Sequence, residues 1–160
     1  MKLLLPLEFQ NRLMDALQKA GVQEIGGVLM GEHVAPDTFR VKSLTVQDHG
    51  GAFASFVRFL EQIVQPLAAF FKSNHHEYRR FNYLGEWHSH PSFSLVPSRT
   101  DIASMREIVE DPKVGATFAV LLIVKRTPDG RLEGALTVFP AGRSHYSGEL
   151  ASEESPHDGH

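Results

Sequence analysis

Two histidines and an aspartate stand close together past the middle of this 160-residue chain. One residue separates His88 from His90, and ten residues separate His90 from Asp101. Imidazole nitrogens and carboxylate oxygens are both ligands of zinc. A site with three protein ligands leaves a fourth position for water, which distinguishes a catalytic zinc site from a closed structural one. The segment therefore indicates chemistry on a metal, and not only a fold.

The elements predicted around these residues can position them. Phe81 to His90 is predicted to be a strand, in which residues two apart point to the same face. Their α-carbons then lie about 6.6 Å apart, which lets two imidazoles converge on one ion. Ser98 to Val109 is predicted to be a helix with Ser98 as its N-cap and Asp101 in its first turn. A capping box formed by Ser98 and Asp101 explains the same pattern without a metal.

Glu86 precedes His88 by two residues, so the strand period places it on the face of both histidines. Three interpretations remain open at this point. The carboxylate could be a fourth metal ligand, which would close the site. It could instead accept a hydrogen bond from an imidazole and orient that ring without touching the metal, or it could make an unrelated pairing.

Hydrophobic periodicity predicts a mixed α/β (α+β) domain. A first helix ends at Gly21, and a Phe-rich segment, Phe53–Phe71, is predicted to be a second helix that Pro66 kinks or divides. That segment is either a core helix or a docking surface for a partner or a second copy. Apolar runs and turn residues predict the further strands at Glu24–Met30, Phe39–Val46, Val114–Lys125 and Leu132–Phe139.

Composition excludes several classes of protein. The chain has no cysteine, which excludes disulfides, thiolate zinc sites and a cysteine nucleophile. A net charge of −3 without a basic stripe argues against nucleic-acid binding. No apolar run approaches the roughly 20 residues that span a membrane, so the cytoplasm is the expected compartment. We predict one domain over residues 1–146 and a disordered acidic tail over residues 147–160.

Two motifs together resemble those of the JAMM/MPN+ (JAB) metallopeptidases. The first reads His-x-His-Pro, six residues, Ser, two residues and Asp, and it spans His88 to Asp101. The second reads Glu-x-x-Gly-x-Leu-x-Gly and spans Glu24 to Gly31. Every fixed position of both motifs is present. The resemblance covers roughly Leu3 to Phe139, and the Gly-Glu-Trp-His-Ser-His-Pro sequence is closer to the prokaryotic branch of the family.

The resemblance implies an MPN/JAB fold, a cytidine-deaminase-like mixed central sheet flanked by helices. It implies one Zn²⁺ per chain, held by His88, His90 and Asp101 with a catalytic water. Glu24 would then act as general base and later as general acid. Ser98 would donate a hydrogen bond to the oxyanion.

The resemblance also implies a reaction and a class of substrate. The expected activity is hydrolysis of the amide bond after the carboxyl-terminal glycine of a ubiquitin-like protein. One alternative is a peptidase that trims a sulfur-carrier protein or its cysteine adduct. An alternative of a different class is a non-catalytic MPN scaffold, although such family members have lost the metal ligands that this chain retains.

Overall fold

The structure is a computed structural model that describes residues 1–47 and 56–154, with only the helical backbone described for residues 56–62. The predicted mixed α/β architecture is confirmed, because helices flank one large mixed sheet. The elements are β1 (Lys2–Pro6), α1 (Leu7–Ala20), β2 (Gly26–Ala35), β3 (Thr38–Leu44), α2 (Phe56–Ser73), β4 (Phe81–Ser89), α3 (Arg99–Glu110), β5 (Phe118–Arg126), β6 (Leu132–Pro140), β7 (Tyr146–Ser147) and β8 (Glu149–Glu153).

The strand that carries the two histidines lies inside the sheet. The strand order is β7-β6-β5-β4-β2-β3-β1-β8, so β4 is paired on both sides. It runs parallel to β5 and antiparallel to β2. Pairing on both sides holds the backbone of β4 in place and thereby fixes the spacing of His88 and the residues beside it.

The helices cover opposite faces of the sheet. Phe9, Leu13 and Leu17 recur every four residues along α1 and are buried against one face. The fully buried Trp87 belongs to that core, and its indole N–H donates to the Thr45 carbonyl oxygen at 2.8 Å. The other face packs against α2 and α3. His88 and His90 lie on this second face.

The segment Phe53–Phe71 contributes one continuous helix. Pro66 lies inside α2, which runs unbroken from Phe56 to Ser73, so the predicted division into two helices is wrong. Ile63 and Phe70 are buried in the core, as a core helix requires. Residues 53–55 lie outside the described residues. Within the described part of the chain, no helix is both long and apolar enough to cross a membrane.

The carboxyl-terminal strands join the two ends of the sheet. Only Gly148 separates β7 from β8, yet β7 pairs with β6 while β8 pairs with β1. The predicted disorder from residue 147 is therefore wrong for Glu149–Glu153. Backbone pairing over five residues orders this polar segment, Leu150 packs on the core, and Glu153 accepts from Arg40 Nε at 2.7 Å. Residues 155–160 lie outside the described residues.

We expect a chain that ends at Ser144 to lose more than about 3 kcal/mol of unfolding free energy. Its β1 would become an exposed edge, and the packing of Leu150 and the β1–β8 hydrogen bonds would be lost. Denaturant unfolding measures the difference. A chain that ends at Glu154 keeps every strand and is the control. Equal stability of both truncated chains would contradict a structural role for β8.

Candidate metal centre

Three ligand atoms converge at the carboxyl end of β4. The Nε2 atoms of His88 and His90 lie 3.1 Å apart, and Asp101 Oδ2 lies 3.5 Å and 3.7 Å from them, respectively. Ligands at about 2.0–2.1 Å from a tetrahedral ion are about 3.3 Å from one another. The three observed separations bracket that value. The residues therefore fit a single metal ion, and the predicted convergence of His88, His90 and Asp101 is present in the fold.

The ring of His90 is held with one nitrogen available to the cluster. Its Nδ1 lies 2.7 Å from the Ser94 carbonyl oxygen. A carbonyl can only accept, so Nδ1 carries the proton, and the Nε2 of the neutral ring keeps its lone pair. Phe93 stacks on the ring, with centroids 4.3 Å apart. Sequence reasoning missed both contacts. The position of a backbone carbonyl in a loop cannot be read from the sequence. The aromatic residue three positions after His90 is a weak indication of a stacking contact.

Asp101 supplies an anionic oxygen beside the two imidazoles. Burial raises its pKa, but hydrogen bonding and attraction to His88, with hydrogen bonds from Ser98, outweigh burial and lower the pKa to about 2. The side chain is thus a carboxylate at neutral pH. Its Oδ2 accepts the Ser98 N–H at 2.7 Å, and the Ser98 hydroxyl accepts the Asp101 N–H at 3.1 Å. The predicted capping box is confirmed, and it orients the same oxygen that faces the histidines.

Glu86 lies buried beneath this cluster. Burial, and secondarily the negative charge of Asp101, raises its pKa to about 8, so without a metal its carboxyl group holds a proton at neutral pH. Glu86 Oε1 and His88 Nδ1 are both buried and lack a hydrogen-bond partner among the described residues. The group of converging ligand atoms comprises His88, His90 and Asp101.

A bulge in β4 sets the direction of these side chains. Leu29 pairs with Gly85 but Met30 pairs with Tyr83, so one extra residue, Leu84, interrupts the register. Leu84 and Trp87 consequently both enter the α1-side core, although they are three residues apart. Glu86 and His88, which flank Trp87, are thereby aimed at the side of α3, which carries Asp101.

Gly85 allows β4 to approach β5 at this bulge. A β-carbon on Gly85 would lie 1.9 Å from the Val120 carbonyl oxygen, and the residue has a φ of +154°. Two backbones thus meet where only glycine fits.

We expect Gly85→Ala to destabilise the protein by several kcal/mol and to weaken metal binding, because β4 must move away from β5. Gly142→Ala is the matched control. Gly142 also has a positive φ, but no atom lies within 4 Å of the added carbon, so it should cost about 1 kcal/mol. Thermal unfolding and metal titration measure both effects. Equal losses in the two variants would contradict the steric argument.

Ser98 contacts this group through Asp101, and Glu24 is linked to β4 through its neighbour Ile25. Glu24 is exposed and lies two residues before β2 begins. The residue after it, Ile25, exchanges two hydrogen bonds with Ser89, which stands between the two histidines. Ser98 is exposed at the start of α3. The predicted strand start at Glu24 is thus two residues early.

Comparisons with known proteins agree with this geometry. Residues 6–133 match the family described as prokaryotic homologs of the JAB domain. The chain is 30% identical over 135 residues to the CD-NTase/cGAS isopeptidase of Enterobacter hormaechei subsp. hoffmannii (strain UCI 50), an alignment that covers 82% of this chain and 72% of the relative. A solution structure of a protein from Desulfitobacterium hafniense matches with a TM-score of 0.65 and 18% identity, covering 99% of this chain and 98% of that one. This last likeness concerns the fold alone.

Proposed function

This chain belongs to the family of prokaryotic JAB-domain proteins, and from that premise we propose that it is a zinc-dependent isopeptidase. Its substrate would be the amide bond after the carboxyl-terminal glycine of a ubiquitin-like protein, and it would act in the cytoplasm. The observation that carries the proposal is the group of three buried ligands, His88, His90 and Asp101. Three protein ligands leave an open position, as a catalytic zinc site requires.

The metal-holding residues would be His88, His90 and Asp101. A zinc ion bound there would supply Lewis acidity, which lowers the pKa of a water to about 7 and polarises a carbonyl group. His90 is already in the tautomer that offers Nε2. Asp101 is already ionised, so this ligand need not lose a proton to bind at neutral pH.

Glu24 would move the proton in this reaction. Gly26 pairs with His88 and Ile25 bonds to Ser89, so an antiparallel register continued by one residue would bring Glu24 beside His90. Residues directly opposite each other share a face of the sheet. From there its carboxylate would accept the proton of the attacking water and deliver it to the departing amine.

Ser98 would bind the oxyanion. Its oxygen accepts the Asp101 N–H, so the hydroxyl proton is not used by the helix cap. The exposed hydroxyl can therefore donate to a substrate carbonyl as negative charge develops on it. Capping and catalysis would use different parts of the same group.

Glu86 would orient His88 rather than bind the metal. Its Oε1 and His88 Nδ1 are both buried beside the cluster and lack a partner within the part of the chain that the structure describes. Zinc-bound histidines usually donate their second N–H to a carboxylate, carbonyl or water. A hydrogen bond from His88 Nδ1 to Glu86 Oε1 would give both atoms a partner.

The Enterobacter relative favours conjugate cleavage over the trimming of a sulfur carrier. Its name specifies an isopeptidase for CD-NTase/cGAS. An isopeptidase cleaves the bond that joins two proteins. By analogy, a CD-NTase/cGAS protein would be the released partner here. The Phe53–Phe71 segment remains our proposed contact for such a partner or for a second copy.

A panel of substrates tests this function. Ubiquitin-like proteins and a sulfur-carrier protein, each with a carboxyl-terminal fluorogenic amide, would be incubated with the zinc-loaded chain. We expect release from at least one ubiquitin-like protein and its loss with a chelator. Cleavage of the sulfur carrier alone would favour trimming. Metal content well under one zinc per chain, without cleavage, would favour the scaffold.

A further inference from the structure

Ser89 lies between the two ligand histidines and turns away from them. Its side chain is completely buried. Residues two apart on a strand share a face, so Ser89 faces the side opposite His88 and His90. Its hydroxyl oxygen accepts the Ile25 N–H at 3.0 Å, and its own N–H donates to the Ile25 carbonyl oxygen at 2.9 Å. Ser89 therefore contacts the chain next to Glu24 and not the metal centre.

The hydroxyl replaces a backbone acceptor at the last rung of the β2–β4 pairing. In a regular antiparallel pair, two opposite residues exchange N–H···O=C bonds through their carbonyls. Here the Ile25 N–H goes to a side chain instead. The strand ends at Ser89, and the next N–H, that of His90, donates to the Val124 carbonyl oxygen of β5 at 3.0 Å. Beyond this rung, no described backbone hydrogen bond joins β4 to the segment that carries Glu24.

We propose that Ser89 is a positioning residue that fixes Glu24 at a set distance from the metal centre. This inference rests on the proposed function, in which Glu24 moves the proton. A glutamate on an exposed loop has many rotamers and a mobile backbone. Ile25, the adjacent residue, is anchored to β4 through both its N–H and its carbonyl oxygen, which limits that freedom. The metal ligands are held by other contacts, so the effect should fall on turnover rather than on metal binding.

Ser89→Ala removes the acceptor, and Ser89→Thr retains a hydroxyl. We expect Ser89→Ala to keep about one zinc per chain and to lower kcat about 10- to 100-fold with little change in KM. A displacement of the Glu24 carboxylate by about 1 Å can lower the rate by up to about 100-fold. Exchange of the Ile25 amide hydrogen should accelerate at least about tenfold. Ser89→Thr should restore both. If Ser89→Ala does not fold, Ser89→Cys has nearly the same shape and a weak acceptor, and the same expectations apply in part.

Thr45→Val is the matched control. The Thr45 hydroxyl also accepts a backbone N–H of β2, that of Val28 at 2.9 Å, but three residues farther along the strand from Ile25. This variant should accelerate exchange at Val28 and leave kcat within about twofold.

Three results would overturn the role of Ser89. One is an active wild-type protein whose kcat is unchanged in Ser89→Ala. The second is a parallel loss of zinc and activity, which would show that Ser89 supports the ligands themselves. The third is an equal loss of kcat in Thr45→Val, which would indicate a general effect of loosening β2. A wild-type protein inactive on every fluorogenic substrate would instead overturn the proposed function, and this role with it.

Discussion

Glu24→Gln is expected to lower kcat by about 10²–10⁴-fold while the metal stays bound. Glutamine has nearly the shape of glutamate but cannot accept the proton of the attacking water at neutral pH. Glu24 is exposed, precedes β2 and lies outside the converging ligand group, so metal content should not change. The loss corresponds to about 3–5 kcal/mol of transition-state stabilisation. KM should change little, because the interaction is made in the transition state.

Metal analysis and steady-state kinetics on the same preparation measure this result. Glu110→Gln, at the far end of α3, removes another exposed carboxylate and should retain wild-type kcat. Glu24→Asp is informative as well, since it keeps the base but shortens its reach by one methylene, and it should fall between the wild type and Glu24→Gln. Full activity of Glu24→Gln with metal bound would show that another group moves the proton.

The convergence of His88, His90 and Asp101 could be predicted because it depends on local geometry. A strand places residues two apart on one face, and a capped helix holds its first turn in a known orientation. The sequence separation is short, so few arrangements of the connecting loop are open. The capping box and the convergence of Asp101 on the histidines, which compete as explanations in the sequence, coexist because one carboxylate has enough lone pairs for both.

The features that could not be predicted depend on distant partners. Glu149–Glu153 is mostly polar, and it is ordered by its pairing with β1, at the opposite end of the chain, together with the packing of Leu150 and the bond from Arg40 to Glu153. The bulge at Leu84 depends on the register with β2. The buried state of Glu86, which raises its pKa, depends on the helices that cover that face. In each case the local sequence is compatible with two outcomes, and tertiary contacts decide between them.

Asp101→Asn is expected to weaken metal binding by at least about 10²-fold and to abolish hydrolysis. Loss of a partner that only orients a ligand costs about 10- to 100-fold in affinity, and loss of the anionic ligand should cost at least as much. The amide oxygen of asparagine can still accept the Ser98 N–H, so the start of α3 is retained. The wild-type chain should also gain about 2.7 kcal/mol of stability at a zinc concentration of 100 Kd, a gain that the variant should lack at that same concentration.

Calorimetric titration with zinc measures the affinity, and thermal unfolding with and without zinc measures the gain in stability. Asp111→Asn is the matched control, because Asp111 ends the same helix and its carboxylate accepts only the nearby Lys113 N–H among the described contacts. It should bind zinc as the wild type does. Wild-type zinc affinity in Asp101→Asn would exclude Asp101 as a ligand and would make Glu86, the other carboxyl group at this cluster, the first alternative to test. Because Glu86 is protonated near neutral pH in the metal-free protein, binding through it would release a proton, which calorimetry in buffers of different ionisation enthalpy detects.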